Sequence, residues 1–444
     1  MGRKEERIKK QMEKNPIVEC NNVQRKYYPE LFQMFRDTTD PRHQSYIVYS
    51  NKVMLGTLYY KGIAGITSMQ EMTSHFNQQN VVNNLSSFLE TEPGEYLPHY
   101  VTENEFLERL SPLELQRVIQ NMVYQMIRRK SFNDGRFMKK WLIMIDGTEL
   151  YNGSRKLNEK CLERHYNKGT EQEKVNYYQG VLEAKIYFGE SLLCSIASEF
   201  IENNGEDAER QKNMNEEERK QDCERKAFYR LSKKLKAAFP RLPIILLLDS
   251  LYASEPVMEL CRRNDWDYII RYKKGSIPSI AEEYENIPEK EWSGRAEYIN
   301  EIDYNGYKVN VLKFYEEKME KGEKKRTDFQ WLTNIKITEK NAVRLAEVGR
   351  KRWKIENEGF NRQKNWQSDI THACSFKEQA QKNHYLMQQI SDFMKQLYEY
   401  YYLKKNEIKK KQKNISPELL ASFDWHLAKG DISIDKETHS VTEN

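Results

Sequence analysis

The spacing of apolar residues changes character along the chain, and the change falls near Trp141. Upstream, apolar positions recur every three or four residues: Leu115, Val118, Met122 and Met126 lie on one face of a predicted helix. Thr102-Glu-Asn-Glu105 and Ser111-Pro-Leu-Glu114 both have the capping-box form, and Pro112 suits a first helical position. Arg128, Arg129 and Lys130 close the second helix, where cations suit the negative C-terminal end. Residues 1–135 therefore read as a helical region.

From Trp141 the pattern becomes that of strands. Trp141–Asp146 is a short apolar run ended by an aspartate and bounded by Gly147, which predicts a buried strand. Tyr177–Phe188 and Ser191–Ile201 predict two more, joined by a tight turn at Gly189. Glu216–Phe239 predicts a helix, with Cys223, Ala227, Leu231 and Leu235 every four residues and Pro240 and Pro243 stopping it. Ile244–Leu248 has no polar interruption, as in a strand covered on both faces. A helix from about Glu255 and a strand Trp266–Tyr272 complete this stretch.

Residues 273–340 alternate apolar and polar positions, as in Tyr307-Lys-Val-Asn-Val-Leu and Gln330-Trp-Leu-Thr-Asn-Ile, and predict a mostly β insertion. Helical texture returns at Glu339 and runs past Phe360. Gln379–Tyr402 is an amphipathic helix with Leu386, Ile390, Phe393, Met394 and Leu397 apolar. The expected organisation is a helical region over 1–135, an α/β core over 136–272, the insertion over 273–340, the rest of the core over 341–402, and a basic, polar tail over 403–444.

Composition narrows the class. Hydrophobic residues make up 38% of the 444, enough for two or three domains with real cores. No apolar run approaches the roughly 20 residues that span a bilayer, and the charged start MGRKEERIKKQMEKN lacks a secretory apolar core. A cytoplasmic protein with no membrane partner is expected. The six cysteines form no CxxC pair, so neither a zinc ribbon nor a disulfide framework is indicated. Cys161 and His165 are four apart, but without a second pair they read as a thiol beside a polar histidine.

The net charge of +5 leans only slightly towards a polyanion. Its distribution says more. Residues 350–366, RKRWKIENEGFNRQKNW, hold six basic and two acidic residues interleaved with Trp353, Phe360 and Trp366. The run 404–414 is also basic, and 202–224 is acid-rich. A solvated face explains most charge runs; basic and aromatic residues together also suit a gripped nucleic-acid strand. Arg271, Lys273 and Lys274, just after a strand, suit phosphate contact or solvated surface equally.

Two aspartates raise the question of chemistry. Asp146 ends one apolar run and Asp249 ends another. Burying a carboxylate costs several kcal/mol unless it is paired; at the C-terminal edge of a sheet it instead faces the crevice where ligands sit. Two neighbouring carboxylates repel, and a divalent cation relieves the repulsion. Oxygen-only ligands suit Mg²⁺ or Mn²⁺. Alternatively, Asp146-Gly147 is a plain turn and Asp249 caps the next helix. A third ligand is expected from a rigid helix, and RWKIENEGF offers Glu356 or Glu358. Arg352 and Glu356 share a helical face, while Glu358 points about 160° away at about 100° per residue. Glu356 is the choice, because Trp353 and Phe360 flank it.

Together, Asp146-Gly-Thr, Asp249 after an apolar strand, and Arg352-Trp-Lys-Ile-Glu356 resemble the DDE transposases of bacterial insertion sequences, in the branch with a β insertion before the Glu. The separations are 103 and 107 residues, and the second is what an insertion produces. SEFIEN, KQDCERKAFYRL, FPRLP and IENEGFN add to the likeness, which covers most of 40–400.

The resemblance implies a ribonuclease H-like mixed sheet flanked by helices, with a helical N-terminal domain that binds DNA ends. It assigns catalysis and metal binding to Asp146, Asp249 and Glu356, holding two Mg²⁺ or Mn²⁺ ions about 3.5–4 Å apart, with Asp146 bridging them. The family's signature Y-x2-R-x3-E-x6-K places Arg352 and Lys364 on transposon-end phosphates. Gly349 stands where the Tyr belongs, and Lys364 comes one residue late. Related insertions stack a Trp near a flipped base, which here nominates Trp292 or Trp331, each also readable as core. The implied activity is cleavage at terminal inverted repeats and joining to target DNA, with a homodimer pairing two ends. A scaffold that only binds DNA, or a ribonuclease H-like Mg²⁺ nuclease without end specificity, are the rival readings.

Overall fold

The computed structural model describes residues 14–203, 223–273, 275–320 and 323–425. Lys274, most of the acid-rich segment and the start of the helix predicted from Glu216 lie outside them. In chain order the described elements begin with helices α1 (Pro16–Tyr27), α2 (Leu31–Arg36), α3 (Asn51–Ala64), α4 (Met69–Phe76), α5 (Gln79–Phe88), α6 (Tyr100–Arg109) and α7 (Pro112–Arg128). Strands β1 (Arg136–Phe137), β2 (Lys140–Gly153), β3 (Leu162–Tyr166), β4 (Lys174–Gly189) and β5 (Leu192–Ile201) follow. Then come α8 (Glu224–Ala238), β6 (Ile244–Leu248), α9 (Glu255–Asn264), β7 (Asp267–Arg271) and α10 (Pro278–Asn286). Four further strands are β8 (Glu291–Ser293), β9 (Ala296–Tyr304), β10 (Tyr307–Glu320) and β11 (Glu323–Thr333). The chain continues with α11 (Ala342–Arg350), α12 (Asn361–Asn365), α13 (Glu378–Tyr398) and α14 (Gln412–Ser422). No described helix is long and apolar enough to cross a membrane.

The chain divides into two compact units, one within Met1–Tyr124, Leu150–Tyr178 and Asn361–Asn444, the other Gln125–Glu149 and Gln179–Phe360. In the first, α3 is buried on nearly every side, so it forms the middle of a helical core. It stops at Gly65, whose left-handed φ of +70° lets its N–H cap the last turn. Gly62 lies against α13: a Cβ there would come within 2.5 Å of the Ser391 side chain, whose hydroxyl donates to the Tyr59 carbonyl. Helix α7 starts at Pro112 as the sequence predicts, and Leu115, Val118, Met122 and Met126 are buried. Helix α6 starts earlier than Thr102, because the His99 ring accepts from the Val101 N–H and caps the chain there. Strand β3, with no hydrophobic pattern to mark it, pairs with the first residues of β4.

The second unit is built on a mixed sheet. Its strands run in the order β4, β2, β6, β7, β11, β10, β9, β8, with β1 added to β2 and β5 to β4. Strands β2, β6 and β7 are mutually parallel. From β7 outward through β11, β10, β9 and β8 each pair is antiparallel, as is β4 with β5. Every residue of β6 is fully buried, as expected for a central strand that helices cover on both faces. Gly189, at φ +108°, makes the turn between β4 and β5. Helix α8 turns Ala227, Phe228, Leu231 and Leu235 inward.

Three segments differ from the expectation. Strand β2 does not end at Asp146; its buried stretch ends at Ile145 and the strand runs on, half-exposed, to Gly153. The region 273–340 contains the helix α10 before its four strands, since Pro278 starts a turn that Ile280 and Tyr284 anchor. The helix expected from Glu339 past Phe360 is three pieces: α11, a π-helical turn over Ile355–Phe360, and α12.

Candidate active site

The register of two central strands brings the aspartates together. On the parallel pair β2–β6, Met144 stands opposite Leu247, 103 residues further on. Asp249 is also 103 residues beyond Asp146. The ladder ends at Met144 and Leu247, and β6 ends at Leu248; Asp249 follows directly, and its charge acts on Asp146, so the two carboxylates lie near each other where β6 ends beside β2. Asp249 begins the 3-10 turn Ser250–Tyr252 and makes no side-chain capping bond, so capping does not account for it.

Asp146 is mostly withdrawn from water. Its Oδ1 accepts from the Gly147 N–H at 3.1 Å, and its Oδ2 lies 3.3 Å from the guanidinium of the buried Arg352. Burial pushes the Asp146 carboxyl up to about 6; Arg352 opposes the rise, and Glu224 and Asp249 add to it. Glu224, at the start of α8, is pushed up for the same first reason, burial, while its hydrogen bond with Tyr252 opposes. The Tyr252 hydroxyl donates to Glu224 Oε1 at 2.6 Å. Sequence pattern does not mark Glu224, because a carboxylate in a first helical turn looks like an ordinary partner of the helix dipole.

The helical carboxylates differ from one another. Glu358 is half-buried and held by Lys354 at 2.5 Å. Glu356 is exposed and makes no ion pair among the described residues. The π-helical turn that carries both closes its bonds five residues apart and so takes in one residue more than an α-turn. Among the described residues, no three His, Cys, Asp or Glu side chains stand close enough as they are to hold a metal ion. The donor chemistry nevertheless fits a hard divalent cation: the ligands on offer are carboxylate oxygens, Asp146 on β2 and Asp249 just past the end of β6, with a guanidinium neutralising one.

One further cation, Arg271, acts on Asp249 through its charge. Arg271 donates to the Gln330 carbonyl at 2.9 Å and stacks over Phe329 and Trp331. Burial lowers its pKa, against the pull of Asp249 and with help from Arg350 and Arg352. Arg350, the first residue of the basic segment 350–366, covers the Phe329 ring at 3.9 Å and pairs with Glu316. Lys273 is exposed, and Lys274 lies outside the described residues. Trp292 is 54% exposed on β8. Trp331, by contrast, is buried and stacked on Phe329, so its ring belongs to the core and is closed to a base. Its indole also explains Gly349: a Cβ there would come within 2.7 Å of Trp331 Nε1. No tyrosine fits at 349 while Trp331 fills that space. Lys364 is half-buried on α12, in the first unit.

Residues 217–390 match the family described as Transposase DDE domain. The match takes in Asp249, Arg352 and Glu356, and the stretch is a DDE transposase domain of insertion-sequence type, as the resemblance implied. The family is one of transposases, which act on DNA and use divalent metal ions. No curated protein matches the chain.

Proposed function

We propose that the protein cuts DNA at the ends of a mobile element and joins them to target DNA by metal-dependent phosphoryl transfer. The observation that supports this reading is the common 103-residue offset: the β2–β6 register runs at that offset, and Asp146 and Asp249 follow it just past the paired residues. Asp146, Asp249 and Glu356 are the side chains that would hold Mg²⁺ or Mn²⁺. Bound divalent ions supply activation of the attacking oxygen and neutralisation of the leaving one.

The chain's own residues do the rest. Asp146 and Asp249, fixed by strand register, give the centre a rigid half. Glu356, exposed on a π-turn, would complete it; turns of this kind recur at functional sites. Arg352 neutralises Asp146 and stands ready to take a phosphate oxygen once a cation relieves it of that task. Lys364, which the family signature nominates, would contact a phosphate in this reading. Trp292, Arg271 and Lys273 remain the insertion-side DNA contacts of this reading, and pairing of two DNA ends calls for a homodimer.

The test uses purified protein, Mg²⁺ and DNA carrying the element's terminal inverted repeats. Wild type should nick at the repeat boundary and transfer the freed 3′ end to a second duplex, and Asp146→Ala should do neither. Nicking by Asp146→Ala at the wild-type rate would exclude this centre.

A further inference from the structure

We propose that Glu224 is a fourth acid of this centre: through Tyr252 it positions the Asp249 turn, and its carboxylate joins those that hold the divalent ion. The inference rests on the reading of Asp146 and Asp249 given above.

Glu224 and Phe228 are four residues apart on α8 and so share one face of the helix. Both act on Tyr252. Phe228 packs on its ring, with centroids 4.8 Å apart, and Glu224 accepts its hydroxyl proton at 2.6 Å. Tyr252 is buried, and its backbone N–H donates to the Asp249 carbonyl at 3.1 Å. The helix thus holds the turn that carries Asp249 at two points, one apolar and one polar.

A second observation concerns Gly147. A Cβ built there would fall 2.9 Å from Glu224 Oε2. The φ of Gly147 lies outside the left-handed region, so the backbone conformation does not call for glycine. The missing side chain leaves a cradle in which the Glu224 carboxylate reaches the backbone beside Asp146. A helix-dipole role alone would need neither the cradle nor the tyrosine, since a first-turn carboxylate serves the dipole from solvent too.

The experiment is Mn²⁺ binding to the full-length protein, followed by the electron-spin signal of free Mn²⁺, with thermal unfolding in EDTA as the check on folding. Glu224→Gln keeps the shape and the hydrogen-bond acceptor but removes the charge. It should weaken Mn²⁺ binding by about 10- to 100-fold, the effect usual for a carboxylate that supports metal ligands. Glu224→Asp should recover part of that loss, which a merely structural role would not produce. Tyr252→Phe should weaken binding several-fold while Phe228 keeps the ring in place. Asp146→Asn is the reference. If it loses Mn²⁺ and Glu224→Gln binds like wild type, the fourth acid is wrong and the centre stands. If Asp146→Asn also binds like wild type, the centre itself is wrong. If Glu224→Gln does not fold, Tyr252→Phe decides, and unchanged Mn²⁺ affinity there overturns the proposal.

Discussion

The guanidinium of Arg352 lies 3.3 Å from Asp146 Oδ2, and the arginine side chain is only 9% exposed. A cation held this way has one strong partner, and that partner is an aspartate of the proposed centre. Removing it leaves a carboxylate in a low-dielectric site without compensation, which in buried pairs costs about 3–5 kcal/mol. Since Asp146 is partly solvated, Arg352→Ala should lose about 2–4 kcal/mol at pH 8. At pH 5 the Asp146 carboxyl is largely protonated and the loss should shrink. Urea unfolding at the two pH values checks this; an equal loss at both would mean that the pair does not set the cost.

Asp146 also makes stability depend on pH. Its folded carboxyl, at about 6, stands above the ordinary value of 3.8. A raised acid contributes stability below the unfolded value and loses it as pH rises through the folded one. The cost at neutral pH is about 3 kcal/mol at most, since each pH unit between the folded and unfolded values is worth about 1.4 kcal/mol. Asp146→Asn has no proton to lose. In EDTA, the melting temperature of the variant minus that of wild type should therefore grow by about 1–3 degrees between pH 5 and pH 8, since that window holds about 1.4 kcal/mol of the effect. A difference that stays flat across this window would refute the assignment. The same substitution should abolish strand cleavage, so a site that binds cations costs the cation-free fold stability.

The sequence made some of this legible and hid the rest, for identifiable reasons. Ile244–Leu248 could be read as a central strand because five apolar residues in a row have no other common use. The aspartates stood out because each interrupts such a run, yet that β2 and β6 are neighbours is a matter of strand order, which no single segment contains. Trp292 and Trp331 were both readable as core; the structure buries Trp331 between β7, β10 and α11 and leaves Trp292 exposed, a difference set by strand order, which the local pattern does not contain. The π-turn at Ile355–Phe360 was hidden because helical periodicity does not distinguish i→i+4 from i→i+5 bonding over six residues. Glu224 was hidden because its meaning lies in Tyr252 and Gly147, both far along the chain.

Gly349 gives a packing prediction. A methyl group there would press on the Trp331 indole at 2.7 Å, within a buried and stacked neighbourhood. Overpacking of this kind costs about 1–3 kcal/mol, so Gly349→Ala should lower urea stability by that amount. Trp331→Leu, destabilising by itself, should make room. In the double variant the cost of the alanine should fall by at least about 0.5 kcal/mol, the coupling expected of residues in contact. Full additivity would show that the indole is not what excludes a side chain from 349.

The two glutamates of the π-turn separate function from stability. Glu358 is tied to Lys354 at 2.5 Å, and its side chain is 38% exposed, so Glu358→Gln should cost less than about 1 kcal/mol of stability and leave catalysis within a few-fold of wild type. Glu356 makes no ion pair among the described residues, so Glu356→Gln should leave urea stability within about 0.5 kcal/mol. If Glu356 completes the centre, the same variant should lose cleavage of terminal-repeat DNA by at least about 100-fold, the scale of a lost metal ligand or outer partner. DNA affinity, measured without divalent ions, should hold near wild type, which separates a catalytic loss from a binding one. The reverse pattern, with Glu358→Gln inactive and Glu356→Gln active, would move the third ligand two residues along the turn. That exchange would follow if Lys354 released Glu358 to the cation, and Lys354→Ala would then raise activity where Glu356 predicts no gain.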